Sequence, residues 1–141
     1  MPLSSALLTV GMLLAVTAAA GLVWRLRDGR RRTAAGGVDA ARLGLLRGST
    51  AFVLFSSETC SRCPQVRRML RELASAHGAI DVHDIDLTHR ADLAAENRVL
   101  STPTTLLVDS DARVVARFVG VPRRHDLDAA LNELPALQET A

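Results

Sequence analysis

The two cysteines of this chain, Cys60 and Cys63, are separated by two residues and follow closely on a short apolar run that ends at Phe55. Two cysteines at this spacing can form a disulfide with each other. If Cys60 lies where a strand gives way to a helix, its sulfur faces unpaired backbone N–H groups and the positive end of the helix dipole, which stabilise a thiolate. Cys60 is then the attacking sulfur, and the less exposed Cys63 resolves the mixed disulfide, so that the pair exchanges two electrons with a partner thiol or disulfide.

Two other roles for the cysteine pair fit the sequence less well. A structural zinc site needs four ligands, but the chain has no second cysteine pair and its histidines are scattered without a ligand spacing: His77, His83, His89 and His125. A purely structural disulfide that closes so short a loop would constrain the unfolded chain little. We therefore expect redox exchange that needs neither a metal nor a cofactor.

The sequence predicts a strand before the cysteine pair and a helix after it, which is the order that the proposed chemistry requires. The continuous apolar run 51–55 is typical of a strand buried on both faces of a sheet. After Cys60, apolar residues recur at the spacing of one helix face: Val66, Met69, Leu70 and Leu73. Pro64 falls in the first turn of this helix, where a missing N–H costs least, and the helix is predicted to end near Gly78. The pattern thus places the cysteine pair at a strand-to-helix junction.

The rest of the pattern predicts a mixed α/β domain. A short helix is predicted from Asp39 to near Gly48, ahead of the first strand. The later elements are a strand at 80–87, a helix at about 90–98, strands at 106–108 and 114–119 joined by a turn at 109–112, and a last helix that carries Leu127, Leu131 and Leu134 and stops at Pro135. The hairpin is expected at an edge of the sheet. The order βαβαββα predicts a mixed β-sheet flanked by helices on both faces.

The uncharged segment 3–24 predicts one N-terminal transmembrane helix. As a helix it would span about 33 Å, against roughly 30 Å for the hydrocarbon core of a bilayer. Trp24 ends the segment at the depth where tryptophan collects, and the arginines that follow predict a cytoplasmic domain with the N-terminus outside. A cleaved signal peptide, with its cleavage site near 18–20, is the alternative, but the segment lacks a basic start and its apolar run is too long.

The charge of the chain is concentrated outside the predicted domain. The net charge is +2, and residues 25–38 carry five Arg against one Asp. Residues 39–141 carry the other twelve Arg against fourteen acids. This distribution predicts a basic, glycine-containing flexible linker at 25–38, one domain at 39–135 and a short tail at 136–141. It argues against a nucleic-acid partner, which would need a basic surface on the folded domain.

Over nearly all of residues 39–134, the chain resembles the thioredoxin-like family. Three matches occur in order: the motif Cys-Ser-Arg-Cys after a buried strand, the segment 101–104 (Ser-Thr-Pro-Thr) before the hairpin, and Gly120 after the last strand. The resemblance implies that Pro103 is cis and lies beside the redox pair. It also implies that Thr102 offers its backbone to an extended substrate segment, as in strand addition. Thr102 and Pro103 are therefore the expected substrate-binding residues.

The chain departs from thioredoxins proper at several positions. Those proteins carry a tryptophan before the first cysteine and Gly-Pro between the two, whereas this chain has Thr59 and Ser61-Arg62. A buried acid that assists proton transfer in thioredoxin corresponds to Leu54, so that proton route is missing or rebuilt here. Glu58 is the nearest acid in sequence, but a solvated loop residue is the commoner case. The charge of Arg62 is expected to favour the Cys60 thiolate.

Taken together, the sequence resembles that of a membrane-anchored bacterial thioredoxin-like protein. The expected function is a membrane-tethered thiol:disulfide oxidoreductase, localised as a single-pass protein in the cell membrane with its domain in the cytoplasm. The expected partners are protein thiols and disulfides, an electron donor similar to thioredoxin reductase, and membrane lipid through the N-terminal helix. Two alternatives stay open: a non-catalytic thioredoxin-fold binding module, and an outward-facing reductant dedicated to the assembly of secreted or haem proteins.

Overall fold

The computed structural model describes residues 3–27, 31–32, 37–46, 48–78 and 80–134. Half of the predicted linker 25–38, the helix stop at Pro135 and the tail 136–141 lie outside these residues. The described elements are α1 (Leu3–Arg27), β1 (Arg31–Arg32), β2 (Thr50–Ser56), α2 (Cys63–His77), β3 (Ile80–Asp86), α3 (Ala91–Glu96), β4 (Thr104–Val108), β5 (Val114–Val119) and α4 (Arg124–Asn132).

The strands form one mixed sheet in the order β1-β5-β4-β2-β3. β2 is parallel to β3 and antiparallel to β4, and all seven of its residues are buried. β4 and β5 form the antiparallel hairpin that the sequence predicts. The position of β2 inside the sheet explains its continuous apolar run, because a strand covered on both faces has no exposed side on which to place polar residues.

Successive residues of β2 face two different cores. Phe52 and Leu54 pack against the core that α2 and α4 cover. Val53 and Phe55 pack against the opposite core, which includes Leu93 of α3. All four β2 side chains are completely buried, and each such burial contributes about 1.5–3 kcal/mol to folding. The mixed sheet with helices on both faces is confirmed.

The predicted helix that begins at Asp39 is not formed. Residues 40–44 form a hydrogen-bonded turn instead, in which the N–H of Leu43 donates to the carbonyl of Asp39 (3.2 Å) and that of Leu45 to the carbonyl of Ala40 (2.8 Å). The carboxylate of Asp39 accepts from the N–H of Ala41 (3.1 Å), which supports its predicted capping role. Gly44 then has a φ of 67°, in the left-handed region where glycine commonly ends helical backbone.

The hairpin is not at the edge of the sheet, which corrects the prediction from sequence. Arg31–Arg32 forms the short strand β1 and pairs antiparallel with Phe118 and Arg117 of β5. Two consecutive arginines show no alternation of apolar and polar residues, so periodicity gave no sign of a strand within the segment 25–38.

The predicted transmembrane anchor is wrong. A membrane-crossing helix needs about 20 consecutive, mainly apolar residues. Within the described parts of the chain, no helix meets that requirement of length and apolar character together. The predicted single-pass localisation in the cell membrane is corrected accordingly, and the predicted orientation and lipid contact lose their basis with it.

Candidate active site

The cysteine pair forms a disulfide at the start of α2. The Cys60–Cys63 bond has an S–S distance of 2.05 Å, and the two Cα atoms are 5.5 Å apart. Cys63 is only 2% exposed, whereas Cys60 is half-buried. A sulfur atom that approaches from solvent therefore reaches Cys60 first.

The N-terminus of α2 is directed at this disulfide. Cys63 is the first residue of the helix, and Pro64 follows where its missing N–H costs no helical hydrogen bond. Arg62 occupies the N-cap position, and no side chain of the described residues caps the helix there. The positive end of the helix dipole, about half an elementary charge, lies at this helix start and favours a thiolate at Cys60 once the disulfide is reduced.

The segment 57–62, here called the cysteine loop, is held to the end of the sheet. The N–H of Cys60 donates to the carbonyl of Ser57 (3.1 Å), which closes a tight turn. The N–H of Glu58 donates to the hydroxyl of Thr88 (3.0 Å), in the loop that follows β3. The Thr88 hydroxyl in turn donates to Asp86, and the hydrogen bonds from Thr88 hold the pKa of Asp86 below its ordinary value of 3.8. These bonds fix the cysteine loop against the β3 side of the sheet.

The segment 97–103, here called the cis-proline loop, approaches from the other side. The Thr102–Pro103 peptide bond is cis, as the resemblance implied. The carbonyl of Pro103 accepts a hydrogen bond from the N–H of Gly120 (2.8 Å). Gly120 has a φ of 84°, a conformation that glycine adopts without strain, which explains why this residue type suits the position. Pro103 is buried and Thr102 is half-buried.

One hydrogen bond joins the two loops. The hydroxyl groups of Ser57 and Thr102 lie 3.1 Å apart, within hydrogen-bonding distance. Because the carbonyl of Ser57 also holds the N–H of Cys60, Ser57 connects the attacking cysteine to the residue before the cis proline. The structure therefore brings Cys60, Cys63, Thr102 and Pro103 into one site.

Arg117 holds the start of the cis-proline loop. Its guanidinium donates to the carbonyl of Asn97 (2.7 Å) and, more weakly, to that of Arg98 (3.4 Å). Burial lowers the pKa of Arg117, and the nearby charge of Arg98 lowers it further. Arg117 lies on β5, about twenty residues further along the chain, so sequence reasoning gave no reason to connect it with this loop.

The residues considered for tuning the thiols occupy different surroundings. Leu54 is fully buried in the apolar core, so no acid lies at the position of the buried thioredoxin carboxylate. Arg62 and Glu58 are exposed on the cysteine loop. Arg62 lies between the two cysteines in sequence, but its side chain is exposed to solvent.

Sequence reasoning missed a polar network next to α2. The hydroxyl of Ser56 donates to Oδ1 of Asp84 (2.6 Å), and Nε of Arg67 donates to Oδ2 of the same carboxylate. Ser56 ends β2, Asp84 lies on β3 and Arg67 is one helical turn after Cys63. The signal in the sequence was weak, because β3 carries three aspartates among its seven residues and periodicity alone assigns such acids to a solvated face.

A mixed sheet covered by helices, a disulfide at a helix start and an adjacent cis-proline loop together define the thioredoxin-fold class of proteins. The family model described as a thioredoxin-like domain matches residues 39–135. The chain belongs to the thioredoxin-like domain family, which confirms the resemblance seen in its motifs.

Curated relatives agree with this assignment. The chain is 32% identical over 81 residues to a protein of Methanothermobacter thermautotrophicus named "Probable Thioredoxin", covering 57% of this chain and 89% of that protein. It is 31% identical over 84 residues to the mitochondrial thioredoxin of Mus musculus, covering 57% of this chain and 48% of the relative. The chain thus spans about half the length of the mitochondrial relatives that it matches.

Solved structures show the same fold. The oxidised form of mitochondrial thioredoxin 3 from Saccharomyces cerevisiae superposes with a TM-score of 0.54 at 21% identity, covering 62% of this chain and 80% of that one. A malaria-parasite protein, thioredoxin-2, superposes with a TM-score of 0.57 at 22% identity, covering 63% of this chain and 86% of that one. At these identities the likeness concerns the fold alone.

Proposed function

We propose that this chain is a thiol:disulfide oxidoreductase that exchanges two electrons between its cysteine pair and protein partners. The observation that carries the proposal is the disulfide at the start of α2, in which Cys60 is half-buried and Cys63 is 2% exposed. This asymmetry suits a division of work in which Cys60 attacks the partner and Cys63 resolves the intermediate. Membership of the thioredoxin-like family supports the same chemistry.

The reaction proceeds by two sulfur exchanges. In the reduced protein, the Cys60 thiolate attacks a disulfide of the partner; a bond forms between Cys60 and one partner sulfur, and the other partner sulfur leaves as a thiolate. Cys63 then loses its proton and attacks Cys60. The Cys60–Cys63 bond forms, the second partner sulfur leaves and takes up a proton, and the partner disulfide has gained the two electrons that the protein lost.

Thr102 and Pro103 form the surface on which the partner segment rests. The hydrogen bond between Ser57 and Thr102 sets the distance between this surface and the attacking cysteine. Thr102 lies two residues before β4, at the end of the sheet, where its backbone can pair with an extended partner segment. Arg62, exposed between the cysteines, favours the Cys60 thiolate through its positive charge.

The proposed partners are protein thiols and disulfides, with an electron donor similar to thioredoxin reductase restoring the dithiol. The direction of electron flow follows from the redox poise of the surrounding pool. In a reducing pool the protein acts as a reductase, and in an oxidising pool the same exchange runs the other way. A bacterial source for the chain stays a prediction.

Reduction of insulin disulfides tests the proposal. With dithiothreitol as the electron source, the full chain should accelerate insulin reduction over dithiothreitol alone, and Cys60→Ser should abolish the acceleration. Ser61→Ala, a matched change of an exposed residue in the same motif, should retain it. A folded wild-type protein without turnover would overturn the proposal and favour a thioredoxin-fold binding module. A supply of NADPH and thioredoxin reductase in place of dithiothreitol tests the proposed donor.

A further inference from the structure

We propose that Arg67, held in place by Asp84 and Ser56, stabilises the thiolate of Cys63 during the resolving step. This inference rests on the proposed function, because it concerns the second sulfur exchange. Arg67 takes over the role of the buried acid of thioredoxins, whose position is occupied here by Leu54. In this chain a fixed positive charge, and not a proton-accepting carboxylate, prepares the resolving sulfur.

Two hydrogen bonds to the carboxylate of Asp84, one from Ser56 and one from Arg67, form the network that holds Arg67. Ser56 is 4% exposed, and its hydroxyl donates to Oδ1 of Asp84 over 2.6 Å. Nε of Arg67 donates to Oδ2 of Asp84, and the side chains of this ion pair are only 32% and 24% exposed. Both carboxylate oxygens of Asp84 are thus occupied. The carboxylate acts as a support that fixes the guanidinium, since a charge-assisted bond in partly buried surroundings is stronger than one in water.

The geometry of the fold directs Arg67 towards Cys63. The two residues are four positions apart on α2, so they lie on neighbouring points of the same helix face, about 5–6 Å apart at Cβ. Long side chains in a helix lean towards its N-terminus and cover the preceding turn. Arg67 and Cys63 therefore share one face of α2, and Arg67 binds Asp84 from that face.

The sheet register supports the same placement. Asp84 is opposite Leu54 in the parallel pairing of β2 and β3, two residues before β2 ends, which is about 6.6 Å along the strand. Arg67 is four residues into α2, about 6 Å along the helix. The helix of a β-α-β unit runs back beside its strands, so Arg67 and Asp84 lie at the same level and Cys63 lies one turn above them.

The other charges that border this region do not replace Arg67. β2 contributes the uncharged side chains of Leu54 and Ser56, and α4 contributes Leu127 and Leu131 to the shared core. On β3, Asp86 is bonded to Thr88. On the cysteine loop, Glu58 and Arg62 are exposed, and solvent weakens the effect of their charges on the buried Cys63. Arg67 is thus the partly buried cation among the described residues of this region, with Asp84 as its anchor.

The proposed step needs no protein base. In the mixed disulfide, Cys63 releases its proton to solvent, and the charge of Arg67 stabilises the thiolate that remains. The thiolate attacks Cys60, the Cys60–Cys63 bond forms, and the partner sulfur leaves and takes up a proton. Asp84 and Ser56 are positioning residues in this scheme, because they act only through Arg67.

Titration of the single thiol of the Cys60→Ser protein tests the proposal. In this background Cys63 is the remaining cysteine, and its thiolate is followed by ultraviolet absorbance or by the pH dependence of alkylation. In the Arg67→Gln variant, loss of the nearby positive charge should lower the thiolate fraction of Cys63 about tenfold at a given pH. Arg68→Gln makes the same change of net charge at the next, exposed residue and should leave the titration unchanged.

The conservative variant separates charge from packing. Arg67→Lys keeps the positive charge on a similar stem but loses the planar geometry of arginine, so it should retain most of the thiolate fraction. Thermal unfolding of each variant reports its structural effect independently. Equal titration curves for the parent and Arg67→Gln, or equal losses in Arg67→Gln and Arg67→Lys, would overturn the inference. Neither result touches the proposed function, which fails only if the wild-type chain shows no insulin turnover.

Discussion

The cysteine loop and the cis-proline loop build one site by different means. The cysteine loop carries both the reactive sulfur and a helix start, and four of its residues are exposed: Glu58, Thr59, Ser61 and Arg62. The cis-proline loop carries no reactive group but includes the buried side chains of Val99 and Pro103. Its carbonyls are held by Arg117 and Gly120, which lie beyond it on or after β5.

This difference separates chemistry from placement. The reactivity of the cysteine loop follows from neighbours in sequence, since the motif itself places Cys60 at the N-terminus of a helix. The position of the cis-proline loop follows from long-range hydrogen bonds to β5. The hydrogen bond between Ser57 and Thr102 connects the two loops. Substitutions of the cysteines should therefore affect sulfur reactivity, and substitutions that displace the cis-proline loop should affect partner binding.

Among the substitutions that test this difference between the two loops, Arg117→Met should have the largest effect. This change keeps much of the apolar stem but removes the charged donor from the carbonyls of Asn97 and Arg98. Loss of a hydrogen bond from a charged group should lower the free energy of unfolding by about 2 kcal/mol, measured by urea denaturation. The cis-proline loop should lose its position, so that KM for insulin rises.

Arg113→Met is the matched control, because this exposed arginine lies just before the same strand. It should leave both the urea midpoint and KM close to their wild-type values. If Arg117→Met behaves like this control, Arg117 does not hold the cis-proline loop.

A smaller effect is expected from Ser57→Ala. The variant loses the hydroxyl that meets Thr102 but keeps the carbonyl that holds the N–H of Cys60. The free energy of unfolding should fall by about 1 kcal/mol, the usual contribution of one such hydrogen bond. Insulin turnover should fall severalfold through KM, whereas reduction of the protein's own disulfide by dithiothreitol should be unchanged. Ser61→Ala, within the same loop, should alter neither rate; a parallel loss in both reactions of Ser57→Ala would contradict the division between the loops.

The smallest effect is expected from Asp86→Asn and appears only through pH. Hydrogen bonds from Thr88 lower the pKa of Asp86 from 3.8, so its carboxylate stabilises the folded state above that pH. The stabilisation is lost as the pH falls through the lower, folded-state value. The urea midpoint of Asp86→Asn should therefore lie below that of the wild type at neutral pH, and the gap should close below pH 3.8.

Much of the fold was predictable because its patterns are local. The apolar run 51–55 identified the central strand, and the spacing of apolar residues after Cys60 identified α2. The motif at 101–104 identified the cis proline through its resemblance to a family. The predicted helix at Asp39 failed because Gly44 adopts a left-handed conformation that periodicity does not reveal.

Several features that sequence reasoning missed depend on contacts between distant segments. β1 exists because Arg31–Arg32 pairs with β5, and arginine pairs have no strand pattern. The transmembrane prediction relied on the absence of charge over 3–24, and that criterion was not sufficient. The bond of Ser57 to Thr102 and the network of Asp84 with Arg67 join side chains that lie 45 and 17 residues apart in sequence. No local pattern indicates such pairs.

Trapping of the mixed disulfide tests the central claim most directly. Reduced Cys63→Ser protein, which retains the attacking sulfur but lacks the resolving one, is incubated with oxidised insulin and analysed by mass spectrometry under non-reducing conditions. The account predicts that an insulin chain accumulates on Cys60, while the Cys60→Ser protein shows much less adduct because its remaining cysteine is buried. Absence of an adduct on Cys60, or equal adduct in the two variants, would contradict the account.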